Sequence, residues 1–212
     1  MILDKKIALQ TITYLTQINA IKFNSKKPFT WTSGIKSPIY CDNRLILSYP
    51  KIREFVADKM AEIIKDKYGK KNSITGVATG AIAIGSMIAE RLSLPFSYVR
   101  PEPKGHGLKN QIEGRIDKEN GIVVIEDLIS TGKSSLNAIN ALKFEGYKVN
   151  GMLSIFSYNF HFANEIFEKE DIEVNSLADY NVLLEKLKSD DKIDEKELTR
   201  LINWRNDPKN WF

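Results

Sequence analysis

Two early stretches repeat apolar residues at helical spacing. Residues 4–21 place Ala8, Ile12, Leu15 and Ile18 on one face, the pattern of an amphipathic helix. Residues 51–67 do the same with Ile52, Phe55, Val56, Met60, Ile63 and Ile64, and Gly69 can cap the end. Between them, FNSKKPFTWTSGIKSPIYCDNR (23–44) has neither a helical nor a clean strand period. Its Pro, Gly, Ser and aromatic content predicts loops with one or two short strands.

Beyond this point short apolar runs alternate with helical segments. ITGVAT (74–79), PFSYV (95–99), GIVVIE (121–126), KVNGMLSIFSY (148–158) and DIEVNSL (171–177) read as strands. Residues 81–92, 133–146 and 160–169 read as helices, and 101–120 as a long polar loop. Strands alternating with helices predict an α/β fold, an open parallel twisted sheet with helices on both faces. Residues 181–212 are polar and helical, and Trp204, Trp211 and Phe212 there need an apolar surface, in the body or on a partner chain. The expected organisation is a body over 1–180 and a helical tail over 181–212. Within the body, 1–50 form an N-terminal helix and a small hood, and 70–180 form the sheet core.

Composition narrows the function classes. The chain has 212 residues, enough for one domain with a small appendage, and 42% are hydrophobic. Its net charge of +4 suits anionic small molecules and is too mild to argue for nucleic acid. The lone cysteine, Cys41, forms no internal disulfide, which fits a reducing compartment. No window approaches the ~20 apolar residues that a membrane span needs, and the N-terminus is too polar for a signal peptide. A cytoplasmic protein with no membrane or nucleic-acid partner is expected.

The candidate chemistry centres on VVIEDLISTGKSS (123–135). Gly132-Lys133-Ser134 resembles the close of a nucleotide-binding P-loop, but such a loop needs glycine where Asp127 stands. Glu126 and Asp127 would repel a triphosphate there. A loop of small residues opening a helix still offers backbone N–H groups to a phosphate, and Ser130, Thr131 and Ser134 add hydroxyls. Carboxylates just before that loop can accept hydrogen bonds from sugar hydroxyls. The combination fits a ribose 5-phosphate reacting at its anomeric carbon.

VVIEDLISTGKSS closely resembles the 5-phosphoribosyl 1-diphosphate (PRPP) signature of type I phosphoribosyltransferases. FTWTSGIKSPIYCDNR (29–44) and YVRPEPKGHGLKNQIEG (98–114) are similar to the orotate phosphoribosyltransferases in their Gram-positive-like form. The resemblance runs over about residues 20–180. It implies the type I fold, transfer of phosphoribosyl to orotate in pyrimidine (UMP) biosynthesis, and Mg²⁺ carried by PRPP with no metal-ligating side chains. It also implies a homodimer whose loop 101–115 is shared across the interface.

The same resemblance assigns residues. Arg100, Lys104 and His106 would bind the diphosphate, with Lys104, His106 and Asp127 in catalytic roles. Glu126, Asp127, Leu128, Ile129, Ser130, Thr131, Gly132, Lys133 and Ser134 would hold PRPP, joined by Thr79 and Gly80. Ser130 and Tyr40 would face orotate, and Lys36 and Arg44 are candidate partners of its carboxylate by charge. Cys41 reads as a packing residue. Thr32, Thr79–Gly80, Pro101 and Ser157–Tyr158 stand where many relatives carry other residues, most of them basic. The rival readings are a purine or uracil phosphoribosyltransferase, a PRPP-binding regulator and a P-loop hydrolase.

Overall fold

The computed structural model describes residues 2–24, 27–31, 33–69, 71–102 and 111–211. Helix α1 (Lys5–Gln17) begins where Asp4 accepts hydrogen bonds from the N–H groups of Lys6 and Ile7. It ends earlier than its apolar period suggested. Asn19 takes a positive φ of 55°, and the chain turns straight into a strand.

Among the described residues the hood contains four short strands, the first starting ahead of the 23–44 stretch in which one or two were expected. They are β1 (Ile21–Phe23), β2 (Phe29–Thr30), β3 (Lys36–Ser37) and β4 (Ile39–Cys41). β1 pairs antiparallel with β4, and β2 with β3. A 3-10 turn over Asn43–Ser48 leads into α2 (Pro50–Tyr68), which has Pro50 in its first turn and Gly69 at φ 72° as its cap.

The remaining elements are β5 (Asn72–Val77), α3 (Ile82–Leu92), β6 (Phe96–Val99), β7 (Ile112–Glu113) and β8 (Gly121–Ile129). They continue with α4 (Lys133–Phe144), β9 (Val149–Ser157), α5 (His161–Lys169), β10 (Val174–Asp179), α6 (Tyr180–Ser189) and α7 (Glu195–Asn206). The main sheet has the order β10-β9-β8-β5-β6-β7. Its pairings are parallel except β6–β7, which is antiparallel. The sheet is therefore mixed at one edge, because residues 112–113 of the long polar segment return beside β6.

Both faces of the sheet are buried, as the unbroken apolar runs predicted. On β8, Val123 and Ile125 join the core beneath α1, α2 and α3, while Ile122 and Val124 pack with Ile139, Leu142 and Phe167 of α4 and α5. The residues after 180 belong to the first of these cores. Leu183, Leu187, Leu201 and Trp204 are buried in it, and Trp211 packs against it. The body of the protein is thus the surface the tail tryptophans required. Phe212 lies outside the described residues.

Candidate active site

The apolar run GIVVIE predicts a central strand that ends at Glu126. The structure carries β8 three residues further, to Ile129, because β9 runs on beside it. Glu126 pairs with Ser154, Leu128 with Phe156 and Ile129 with Ser157. The acidic pair lies inside the strand, at the carboxyl end of the sheet, where open α/β folds bind ligands.

Strand geometry separates the two carboxylates. Glu126 is buried, and its Oε1 accepts from the N–H of Asp127 at 3.0 Å while Oε2 accepts from the Ser135 hydroxyl at 2.8 Å. It ties the strand to the first turn of α4, beneath the phosphate-loop segment. Burial, and then the charge of Asp127, push its carboxyl well above the usual carboxylate range.

Asp127 is half-buried and packs directly against Gly80. A Cβ on Gly80 would fall 2.2 Å from its Oδ2. Its carbonyl oxygen accepts from Nδ2 of Asn43 at 2.7 Å, and Oδ1 of Asn43 accepts from the Cys41 thiol at 3.2 Å. A line of polar contacts therefore runs from the hood to the acidic strand. Asn43 is buried. Sequence reasoning missed it, although it sits within the quoted segment SPIYCDNR.

Beside this strand opens a cavity of about 600 Å³, lined by Thr30, Trp31, Ser33, Tyr40, Cys41, Leu128, Ser130, Thr131, Lys133, Ser134 and Tyr158. That size suits a small-molecule site. Gly132, buried at φ 77°, makes the turn that starts α4. The first N–H groups of a helix have no partner within it, so this end of the cavity is built for an anion.

The predicted residues distribute unevenly around the cavity. Ser130, Thr131, Lys133, Ser134, Leu128 and Tyr40 line it. Tyr40 is exposed and tilts against Phe29, so it is not a core residue. Ile129 is buried away from it, among the apolar residues beneath α4. Thr79 and Gly80 form the turn after β5, in which the Ala78–Thr79 peptide is cis.

Lys36 and Arg44 are not among the lining side chains. Lys36 is the outward residue of β3, whose next residue, Ser37, faces in. The Arg44 guanidinium grips Asp42 through two bonds, of 2.7 and 2.9 Å. Cys41 is buried, and burial raises its thiol well above the ordinary range, which suits packing rather than nucleophilic chemistry. Tyr158 is a buried wall residue whose hydroxyl donates to the carbonyl of Ile39.

Arg100 is half-buried and faces Glu113 at 3.4 Å. Its backbone N–H donates to the Gln111 carbonyl, and Nε2 of Gln111 donates back to the Arg100 carbonyl. These bonds and the β6–β7 pairing close the base of the long loop. Lys104 and His106 lie outside the described residues.

The phosphoribosyl transferase domain family matches residues 45–169. An orotate phosphoribosyltransferase of Phocaeicola vulgatus is 47% identical over 197 residues, which cover 93% of each chain. One from Cytophaga hutchinsonii is 42% identical, covering 98% of this chain and 97% of its own. The chain belongs to the orotate phosphoribosyltransferase family. Among solved structures, the orotate phosphoribosyltransferase of Aeropyrum pernix superposes with a TM-score of 0.74 at 32% identity, over 84% of this chain and 98% of that one. As an orotate phosphoribosyltransferase, the protein divides its cavity between two regions. The phosphate loop falls within the matched domain, whereas Thr30, Trp31, Ser33, Tyr40 and Cys41 precede it.

Proposed function

We propose that the protein transfers phosphoribosyl from PRPP to N1 of orotate, giving orotidine 5′-phosphate and diphosphate in pyrimidine biosynthesis. The observation that carries this is the half-buried carboxylate of Asp127, packed between the Gly80 turn and the strand that ends in the phosphate loop. In this reading the C1′–oxygen bond to diphosphate breaks ahead of attack by N1, so positive charge develops on the ribose. Asp127 holds the ribose hydroxyls and favours that charge. Glu126 holds Asp127 and the start of α4 in place. The 130–134 loop binds the 5′-phosphate, and the backbone N–H groups of the 79–80 turn meet the diphosphate. Tyr40, Trp31 and Ser130 face the base.

Arg100, Lys104 and His106 stabilise the departing diphosphate by charge. Among the described residues no group of three or more His, Cys, Asp or Glu side chains could hold a metal. A Mg²⁺ that arrives on PRPP would be held mostly by substrate oxygens and water. When bound, the ion would supply positive charge against the diphosphate. A cytoplasmic homodimer that shares the 101–115 segment belongs to the same reading, and the similarity to the family supports it.

The test is loss of orotate absorbance on mixing the protein with PRPP and Mg²⁺, with uracil, hypoxanthine and adenine as parallel acceptors. Turnover with orotate alone is expected. Turnover with a purine, or tight PRPP binding without turnover on any base, overturns the assignment.

A further inference from the structure

Helix α7 lies beyond the matched domain, yet one of its side chains reaches the cavity wall. Trp204 is 0% exposed. Its ring meets Trp31 edge-on at 5.9 Å between centroids and also packs on Tyr158, Phe160 and Tyr180 at 5.4–5.8 Å. Its indole N–H donates to the carbonyl oxygen of Lys36 at 2.8 Å. Trp31 and Lys36 flank the turn of the β2–β3 hairpin. Among its described residues that hairpin pairs Phe29 with Ser37 and Thr30 with Lys36, and Thr30, Trp31 and Ser33 line the cavity that the phosphate loop also lines. A two-stranded hairpin is marginal by itself even when long. This one is held at its turn by the bonds Trp31 N–H to Ile35 O and Gly34 N–H to Trp31 O. Trp31 packs on Tyr158, Phe160 and Trp204 of the body, and Trp204 adds the hydrogen bond to Lys36.

We infer that Trp204 is a positioning residue for the acceptor base, acting from the C-terminal helix by fixing the hairpin that forms the base-side wall. The inference rests on the transfer proposed above. Among the described residues, the ring contacts and hydrogen bond of Trp204 go to Trp31, Lys36, Tyr158, Phe160, Tyr180 and Trp211, away from the phosphate loop and the Gly80 turn, so its effect should fall on one substrate only. Trp204→Phe keeps a buried ring and removes the bond to Lys36. The expected result is a KM for orotate raised about three- to tenfold, the scale of one lost hydrogen bond. The KM for PRPP and kcat should stay within about twofold. Leu201→Ala on the same helix, also 0% exposed, should lower Tm and leave the orotate KM unchanged.

An unchanged orotate KM in Trp204→Phe, or an equal rise in both KM values, overturns the inference. Absence of orotate turnover in the wild type would instead overturn the transfer reading. Native-state hydrogen exchange on the wild type needs neither turnover nor a variant. The amides of Trp31 and Gly34 should open together with those of α7, with one denaturant dependence. Earlier, independent opening of the hairpin overturns the role of Trp204 even if the variant fails to fold.

Discussion

Gly80 and Asp127 share one boundary, and no side chain fits between them. Gly80→Ala would place a methyl group inside the carboxylate, so either the turn or Asp127 must move. The expected outcome is a fall in kcat/KM for PRPP of roughly 10- to 100-fold, the scale of a ~1 Å misplacement, with a small change in Tm. Steady-state kinetics beside a thermal melt check it. Glu126 gives a second prediction. Its folded pKa is raised, so the folded protein keeps a proton at a pH where the unfolded chain has lost it. Its contribution to stability is full in acid and is lost as pH rises through the raised value. Glu126→Gln, which cannot ionise, should therefore gain Tm relative to the wild type as pH rises above the ordinary carboxylate range. A parallel pH series of melts on both proteins decides it. At this scale the sequence showed which residue types gather but not which way they point. Glu126 and Asp127 are adjacent letters, and only the strand assigns one to the interior beside Ser135 and the other to the Gly80 turn. Arg44 carried the right charge for a carboxylate ligand, yet Asp42, two residues away, already occupies its fork.

The turn from β8 to α4 depends on Gly132, which sits in the left-handed region at φ 77° with Phe167 against it. An alanine there takes on a backbone penalty of ~1–2 kcal/mol, and its Cβ would lie 3.1 Å from the Phe167 ring. Gly132→Ala should lower stability by that order and raise the KM for PRPP more than that for orotate. Denaturant titration and initial rates measure the two effects. Elements with a long period were legible in the sequence, namely α2, α3, α4 and the buried strands, because burial on one or both faces writes itself into the spacing. The hood was not, since strands of two or three residues contain no period. The end of β8 was misplaced for a different reason. Two carboxylates look like a strand terminus, but the ladder to β9 continues because the partner strand, ending at Ser157, is still beside it.

Across the whole molecule, the C-terminal residues are part of the core. Trp204 fills a space bounded by Trp31, Tyr158, Phe160 and Tyr180. Losing a buried tryptophan costs about 3–5 kcal/mol, against a total of about 5–15 kcal/mol for a typical domain. A chain ended after Asp194 should lose its cooperative melt and its near-ultraviolet dichroism, which calorimetry and spectroscopy would show. The sequence said that these tryptophans needed cover. It could not say where, because the bond from Trp204 to Lys36 spans 168 positions and leaves no local signature. The same cluster has an optical consequence. The chain has three tryptophans, and Trp31 and Trp211 both lie against Trp204, at 5.9 and 6.5 Å. Near-ultraviolet light is therefore absorbed and re-emitted mainly from one spot beside the cavity. The intrinsic emission of this protein is a local gauge of the hood, and a colour shift on adding a base would report that wall without any attached dye.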